Sequence, residues 1–235
     1  MRPLSNSAVL DLWERGSGLH PLDQGLLILN WALPGLDLSS LADSSLGTRN
    51  RLLIDLHCSF FGPVLEGWSA CIACDEKMEM AIDCRELVRD VAETSSDTII
   101  QFQGQRFRLP TSRDLAEAVQ AGDSNAAALC LIQRCNLNPE SVSDWSPADV
   151  EQIGEAMAAA DPLAEMKIVL RCPACGHQFT EILEIASFIW SKIEARVKRV
   201  IWEIHLLASA YGWSEEQILG LTPARRSAYL EMLQL

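Results

Sequence analysis

Two pairs of cysteines, each with two residues between its members, are the residues of this chain best suited to chemistry. Cys71 and Cys74 lie in "SACIACDEK", and Cys172 and Cys175 lie in "LRCPACGHQF". Each pair precedes alternating polar and apolar residues, which is typical of a turn that leads into a β-strand. Such a unit is a zinc knuckle with two thiolate ligands. Because a structural zinc ion takes four ligands in a tetrahedron, we expect the two knuckles to share one ion.

Other interpretations of these pairs remain open at the level of sequence. In a redox-active CxxC unit the first cysteine opens a helix after a strand, whereas Gly176 and the alternating "HQFTEI" favour a following strand. A second alternative is that the cysteines are buried without a metal. His177 follows the second pair directly, and ring geometry turns a residue in this position outward. We therefore do not expect His177 to be a ligand.

The other four cysteines lie in apolar stretches, and we expect them to be small core residues. They are Cys58, Cys84, Cys130 and Cys135. No signal-peptide pattern opens the chain, and no apolar run approaches the ~20 residues that span a bilayer. We therefore expect a cytoplasmic protein with no membrane partner, in a compartment where disulfides are rare.

Motifs that would indicate an enzyme are missing from the sequence. There is no HExxH zinc-protease motif, no glycine-rich phosphate loop and no GxSxG elbow. A catalytic zinc ion keeps one ligand position open for water, whereas four thiolates close the site. We therefore expect no catalytic activity and no small-molecule substrate.

The charge distribution argues against nucleic acid as a partner. The 235-residue chain carries a net charge of −13. Residues 190–235 hold six Lys/Arg and five Asp/Glu, whereas residues 1–189 hold 13 Lys/Arg and 27 Asp/Glu. Since binding to nucleic acid needs Lys and Arg to neutralise phosphates, the acidic region that carries the cysteines is unsuited to it.

Periodicity divides the chain into three regions of an α+β fold that is mainly helical. Residues 1–70 show helical patterns. Residues 71–185 contain the two knuckles in a small antiparallel, zinc-ribbon-like β centre with inserted helices. Residues 186–235 form a C-terminal helical module, with one long helix and two short capped ones. A site built from pieces this distant would cross-link the two halves of the chain.

Aromatic side chains and arginines concentrate in the C-terminal module, and these residue types are favoured as interface anchors. The long helix carries a stripe of apolar residues that we expect to pack on the protein's own body. The two short helices are then the free surface. As partner-binding residues we select Trp213, Arg225, Arg226 and Tyr229. Packing of Trp213 as core, and an internal carboxylate or a solvated face for the arginines, are the alternatives.

Several stretches together resemble the T-even-type bacteriophage baseplate proteins known as baseplate hub assembly chaperones, which have relatives in phage-like contractile injection systems. The stretches span nearly the whole chain, and the last two are the most specific. They are "LDLWERGSGLHPLDQGLLIL", "FFGPVLEGWSACIAC", "RFRLPTSRDL", "LRCPACGHQFTEILEIASFIW" and "EIHLLASAYGWSEEQILGLTPARRSAYLEML". One departure is Asp75, which stands where a glycine is expected after the second cysteine of the first knuckle.

The resemblance implies a role in phage tail assembly, as an assembly chaperone or minor component of the baseplate hub. The implied partners are other baseplate, hub or tail proteins. The implied location is the bacterial host or producer cell, either free or associated with the virion or injection particle. A zinc-ribbon adaptor in transcription or RNA metabolism is the alternative function, which the acidic balance and the long helical flanks disfavour.

Overall fold

The computed structural model describes residues 2–89, 91–92, 97–138 and 145–233. The described part is mainly helical with small antiparallel sheets, so the predicted α+β class is confirmed. Its helices are α1 (Asn6–Gly16), α2 (Pro21–Ala32), α3 (Leu38–Asp43), α4 (Leu46–Phe61), α5 (Cys84–Val88), α6 (Ser112–Ala118), α7 (Ser124–Cys135), α8 (Pro147–Ala160), α9 (Ile185–Tyr211), α10 (Glu215–Leu219) and α11 (Pro223–Met232).

The described strands pair as three antiparallel hairpins, each formed by two consecutive strands. They are β1 (Val64–Ala70) with β2 (Lys77–Asp83), β3 (Ile99–Phe102) with β4 (Gln105–Arg108), and β5 (Lys167–Arg171) with β6 (Gln178–Ile182). The cysteine pairs lie in the turns of the first and third hairpins.

The prediction of helices over residues 1–70 is wrong for the last seven, which form β1. Helix α4 ends at Gly62, whose φ of 90° no longer continues a helix, and Pro63 follows it. The strand then alternates buried and more exposed residues, with Leu65 fully buried. The first knuckle therefore sits on a strand that leaves the N-terminal helices directly.

Helix α9 is the central element of the main core. Its residues Ile189, Ile193 and Val197 are buried against α1, α2 and α4, so the predicted stripe does pack on the protein's own body. Gly212 ends the helix in the left-handed conformation with φ 67°. Helices α10 and α11 pack on the C-terminal part of α9.

A second core lies in the middle of the chain, where β3–β4 packs with α7 and α8. Phe107, Ile132 and Ile153 are its buried centre.

Beside this core, the buried Asp114 carboxylate accepts hydrogen bonds from Arg108 at 2.6 Å and from the Thr111 backbone at 2.9 Å. Burial raises the pKa of Asp114, but these hydrogen bonds outweigh it and hold the pKa below its ordinary value.

Both cysteine hairpins are anchored to the main core at their open ends. Leu65 of β1, and Met166 and Leu183 on either side of β5–β6, are buried in it. Gly67 meets α9 so closely that an added Cβ would lie 2.8 Å from a ring carbon of Phe188. The bases of the two hairpins are therefore fixed by packing, and their turns project toward one another.

Candidate metal centre

The four cysteines of the two turns form one cluster. The Sγ atoms of Cys71, Cys74, Cys172 and Cys175 all lie within 4.8 Å of one another. The Cys71–Cys175 sulfur distance is 3.6 Å, and the Cys74–Cys172 distance is 3.7 Å. A tetrahedral ion with metal–sulfur bonds of ~2.3 Å has sulfur–sulfur edges of roughly 3.8 Å. The cluster therefore has the size and ligand set to bind one metal ion.

Backbone hydrogen bonds close the first turn, and a further backbone N–H group lies close to one of its sulfurs. The Cys71 amide donates to the Glu76 carbonyl and the Asp75 amide to the Cys71 carbonyl, both at 2.9 Å. The Ala73 amide lies 3.4 Å from the Cys71 sulfur, so its N–H helps to offset the charge of a thiolate. The prediction of a turn that leads into a strand is confirmed here.

The second turn repeats the same pattern one hundred residues later in the chain. The Cys172 amide donates to the His177 carbonyl at 2.8 Å, and the Gly176 amide donates to the Cys172 carbonyl at 2.9 Å. Gly176 has a φ of 75°, and the equivalent Asp75 has a φ of 58°. Both turns thus need a left-handed residue after the second cysteine, which glycine adopts freely and Asp better than most other residues.

The residues around the sulfurs form a small core of their own. Cys71, Cys172 and Phe179 are buried together, with Met78 and Leu170 packed against them. This core contains few side chains, so packing alone is a weak tie between the two turns.

One polar contact also joins the two hairpins. The Ser69 hydroxyl donates to a Glu181 carboxylate oxygen at 2.6 Å. Ser69 is buried, whereas Glu181 is half-buried. The contact adds one further tie between the strands, close to the four sulfurs.

Electrostatics differ between the sulfurs. Backbone N–H groups of Cys175 and Ala174 lower the pKa of Cys172 to about 7, although burial opposes the shift. At Cys74 the backbone of Glu76 lowers the pKa, but the neighbouring sulfurs and lost hydration outweigh it and raise the pKa to about 12. The metal-free site therefore holds protons that a metal ion must displace.

The cluster is closed in a chemical sense. Within residues 2–89, 91–92, 97–138 and 145–233, its ligand atoms are four sulfurs, and four ligands complete a tetrahedron. His177 lies outside the cluster; its side chain is exposed and stacks on Phe179 at 6.2 Å. An ion bound by all four sulfurs in a tetrahedron would have no ligand position left for water.

The other cysteines are separate from this cluster, and Cys84 and Cys135 are buried core residues as predicted. The Cys58 and Cys84 sulfurs approach to 2.7 Å, which is shorter than two sulfurs on one tetrahedral ion would allow. Burial raises the pKa of Cys84 to about 12, and its thiol lies 2.9 Å from the Pro63 carbonyl. Cys58 and Cys130 are only partly buried.

The four predicted partner-binding residues divide into three environments. Trp213 stacks on Tyr211 at 4.7 Å and meets the edge of Tyr229 at 4.8 Å. Arg226 turns inward and pairs with the Glu203 carboxylate at 2.9 Å. Arg225 is exposed.

Glu203 is the internal carboxylate that the sequence left as an alternative for the arginines, and its position was missed. It is buried on α9, three residues after Val200 and four before Leu207. This spacing places it on the predicted apolar stripe, which was the available signal. A carboxylate buried in that way needs a cationic partner.

Comparisons with protein-family models, with curated proteins and with solved structures gave no match. Support for a metal centre therefore comes from the positions of the four sulfurs. In the described part of the chain, no helix has both the length and the apolar composition needed to cross a lipid bilayer.

Proposed function

We propose that the four cysteines hold one zinc ion, and that its role is structural. The supporting observation is the cluster of four sulfurs within 4.8 Å of one another. Thiolate ligands in a tetrahedron favour zinc or iron. Zinc has no geometric preference of its own and accepts the arrangement that the two turns impose. Metal analysis of protein purified without added metal should give about one equivalent of zinc per chain.

The ion would act as a cross-link between distant parts of the chain. Cys71 and Cys175 are 104 residues apart, and Cys74 and Cys172 are 98 apart. Among the described residues, the two hairpins are also joined near their turns by the small core and by the Ser69–Glu181 hydrogen bond. Since the site cannot exist in an unfolded chain, the binding free energy of the metal adds to the free energy of unfolding.

We further propose that the protein acts without catalysis in the assembly of a contractile-tail baseplate, as a hub assembly chaperone or minor component. The resemblance of five stretches to that family supports this role. Two features suit a protein that binds partners rather than one that catalyses a reaction. They are the four-sulfur ligand set of the centre and the position of α10 and α11 at one end of α9. Its expected location is the cytoplasm of the producing cell or the particle itself.

Capture of the tagged chain from cells that produce the contractile particle tests this role. Mass spectrometry should find baseplate, hub or tail proteins in the captured material, and deletion of the gene should stop the formation of sheathed particles. Capture of RNA polymerase or of RNA, with normal particles in the deletion strain, would support the adaptor alternative instead.

The C-terminal module can be tested separately as the partner surface. A chain that ends at Ser214 should keep its zinc and its fold but lose baseplate assembly. A cleaner surface probe is Arg225→Glu, because Arg225 is exposed whereas Trp213 and Tyr229 belong to the aromatic cluster. Lys198→Glu, an equal charge reversal at an exposed position of α9, is the matched control. Normal assembly by the truncated chain would place the partner surface elsewhere.

A further inference from the structure

A cationic pocket lies where the C-terminal module meets the body of the protein. It has a volume of about 530 Å³, within the range of ligand-binding pockets. Four basic side chains line it: Lys192, Arg196, Arg199 and Arg226. Glu203 is its one acidic lining residue, so the pocket carries a surplus of three positive charges in a chain of net charge −13.

Glu203 neutralises only part of this charge. It pairs with Arg199 and with Arg226, both at 2.9 Å. Lys192 reaches Glu66 at 3.6 Å, but Glu66 is well exposed, and such a pair contributes little.

Arg196 is the cation without an acidic partner in this part of the structure. Its guanidinium donates to the neutral Asn6 side chain at 2.9 Å, and no carboxylate within the described ranges lies within 4 Å of it. Burial, followed by the nearby Arg226 and Arg199, lowers the pKa of Arg196, although Glu203 opposes the shift. An incoming anion would relieve this repulsion.

The remaining lining is apolar and includes Phe61, Val200 and Pro223. A free phosphate would use only the charges, and Glu203 would repel a dianion more than a single carboxylate. A peptide that presents a carboxylate beside an apolar side chain matches both parts of the lining. The pocket is also formed by elements distant in sequence, since Asn6 begins α1 and Pro223 begins α11.

We propose that this pocket binds an acidic segment of a partner protein, with a carboxylate against Arg196 and an apolar side chain against Phe61 and Val200. This proposal rests on the proposed function and deepens it by naming the chemistry of the partner segment. It also moves the expected contact surface: Arg226 contributes from the wall of the pocket, rather than from the exposed face of α11.

Fluorescence anisotropy of the full, metal-loaded chain tests the proposal. The probe is a short fluorescein-labelled peptide of glutamates around one leucine, and its control carries glutamine in place of glutamate. The acidic peptide should bind saturably and more weakly as salt increases, whereas the control peptide should not bind. Arg196→Gln should weaken binding about tenfold, as expected for loss of one charge-assisted hydrogen bond.

Lys198→Gln is the matched control, since it removes the same charge from an exposed position on α9 that does not line the pocket. It should change the affinity by less than about twofold. If Arg196→Gln disturbs the circular dichroism spectrum, Arg199→Gln replaces it, because Arg199 is well exposed.

Three results would overturn the proposal: no binding of the acidic peptide, equal losses in the Arg196 and Lys198 variants, or binding of inorganic phosphate at this site but not of the peptide. The assay contains no tail protein. Failure of this assay would therefore overturn the proposal that the pocket binds an acidic segment. The capture experiment would still decide the role in assembly.

Discussion

The first knuckle, residues 71–76, and the second knuckle, residues 172–177, form the same turn with different residues at the left-handed position. Corresponding backbone hydrogen bonds differ by at most 0.1 Å between them. The first turn places Asp75 at φ 58°, and the second places Gly176 at φ 75°. The turn therefore requires a backbone conformation rather than a glycine, and the first knuckle accepts some strain to reach it.

The strands below the turns differ more than the turns do. The first knuckle stands on strands of seven residues and the second on strands of five. Both hairpins expose apolar side chains, Val64 and Trp68 on the first and Val169 and Ile182 on the second. The first also carries Leu65, which is fully buried in the main core, whereas Phe179 of the second is buried beside the sulfurs. The first hairpin thus has the stronger attachment to the body, and we expect the second to depend more on the metal.

Removal of either cysteine pair should have the largest effect. Cys71→Ser with Cys74→Ser, and Cys172→Ser with Cys175→Ser, should each abolish zinc binding, because two thiolates cannot close a tetrahedral site. Metal analysis measures this loss. Cys130→Ser, at a half-buried position outside the cluster, should keep one equivalent. Full zinc content in either double variant would contradict the shared site.

Chelation should lower the melting temperature by about 10 °C, since 1 kcal/mol corresponds to roughly 2–4 °C in a chain of this size and several kcal/mol are lost. Trypsin should then cleave after Lys77 and Arg171, which flank the two turns. Faster cleavage after Arg171 than after Lys77 would confirm that the second hairpin depends more on the metal than the first.

Arg15, exposed in α1, is the internal reference for this proteolysis, and its cleavage should not change. Unchanged melting and cleavage after complete loss of the metal would show that the centre does not stabilise the fold.

Acid should release the metal, because cysteine thiols must lose their protons to bind it. The metal-free site holds a proton on Cys74 below pH about 12 and on Cys172 below pH about 7. Because the metal-bound site has lost both, lowering the pH favours the metal-free state. Zinc affinity should fall about tenfold per pH unit for each proton displaced, so the slope should steepen below pH about 7. Competition with a chromophoric chelator measures the zinc affinity at each pH. A slope that stays constant through pH 7 would contradict the lowered pKa of Cys172.

Substitutions at the left-handed residues should have the smallest effect. Gly176→Ala should cost about 1 kcal/mol of stability, because Ala is strained at positive φ. The strain lies in the backbone alone, since a Cβ at Gly176 would meet no atom within 4 Å. Asp75→Gly should be neutral or stabilise by up to about 1 kcal/mol. Thermal unfolding of the zinc-loaded proteins measures both, and a stabilising Gly176→Ala would invalidate the comparison.

Local signals in the sequence predicted much of the fold. Thr111/Asp114 and Ser214/Gln217 have the spacing of capping boxes in the sequence, and both boxes form; Ser146 and Pro147 likewise begin a helix. Alternating residues on either side of Gly104 form a hairpin. These features depend on residues close together in the chain, which is why periodicity and cap residues were enough to find them.

Features that depend on tertiary contacts were missed. Strand β1 contains Gly67 and Glu66, which weaken a strand signal, and its partner β2 and the approach of Phe188 make it a strand. Helix α3 lies in a stretch rich in Ser and Gly that favours a loop, but Asp37 caps it and Leu41 is buried. The inward pairing of Arg226 required Glu203 from another helix.

The sequence identified correctly the four cysteines that come together, because the CxxC spacing is typical of a turn that forms locally. That the two turns meet across about a hundred residues is a long-range contact that the spacing cannot show. The two turns come together because Leu65, at the base of the first hairpin, and Leu183, at the base of the second, are buried in the same core.

X-ray absorption at the zinc edge of the purified, full-length protein tests the central claim most directly. The proposed site predicts one zinc ion per chain with four sulfur neighbours at ~2.3 Å and no nitrogen or oxygen in the first coordination sphere. A coordination sphere with two sulfurs and two lighter atoms, or a protein that binds no zinc under reducing conditions, would contradict the claim that the two knuckles share one structural ion.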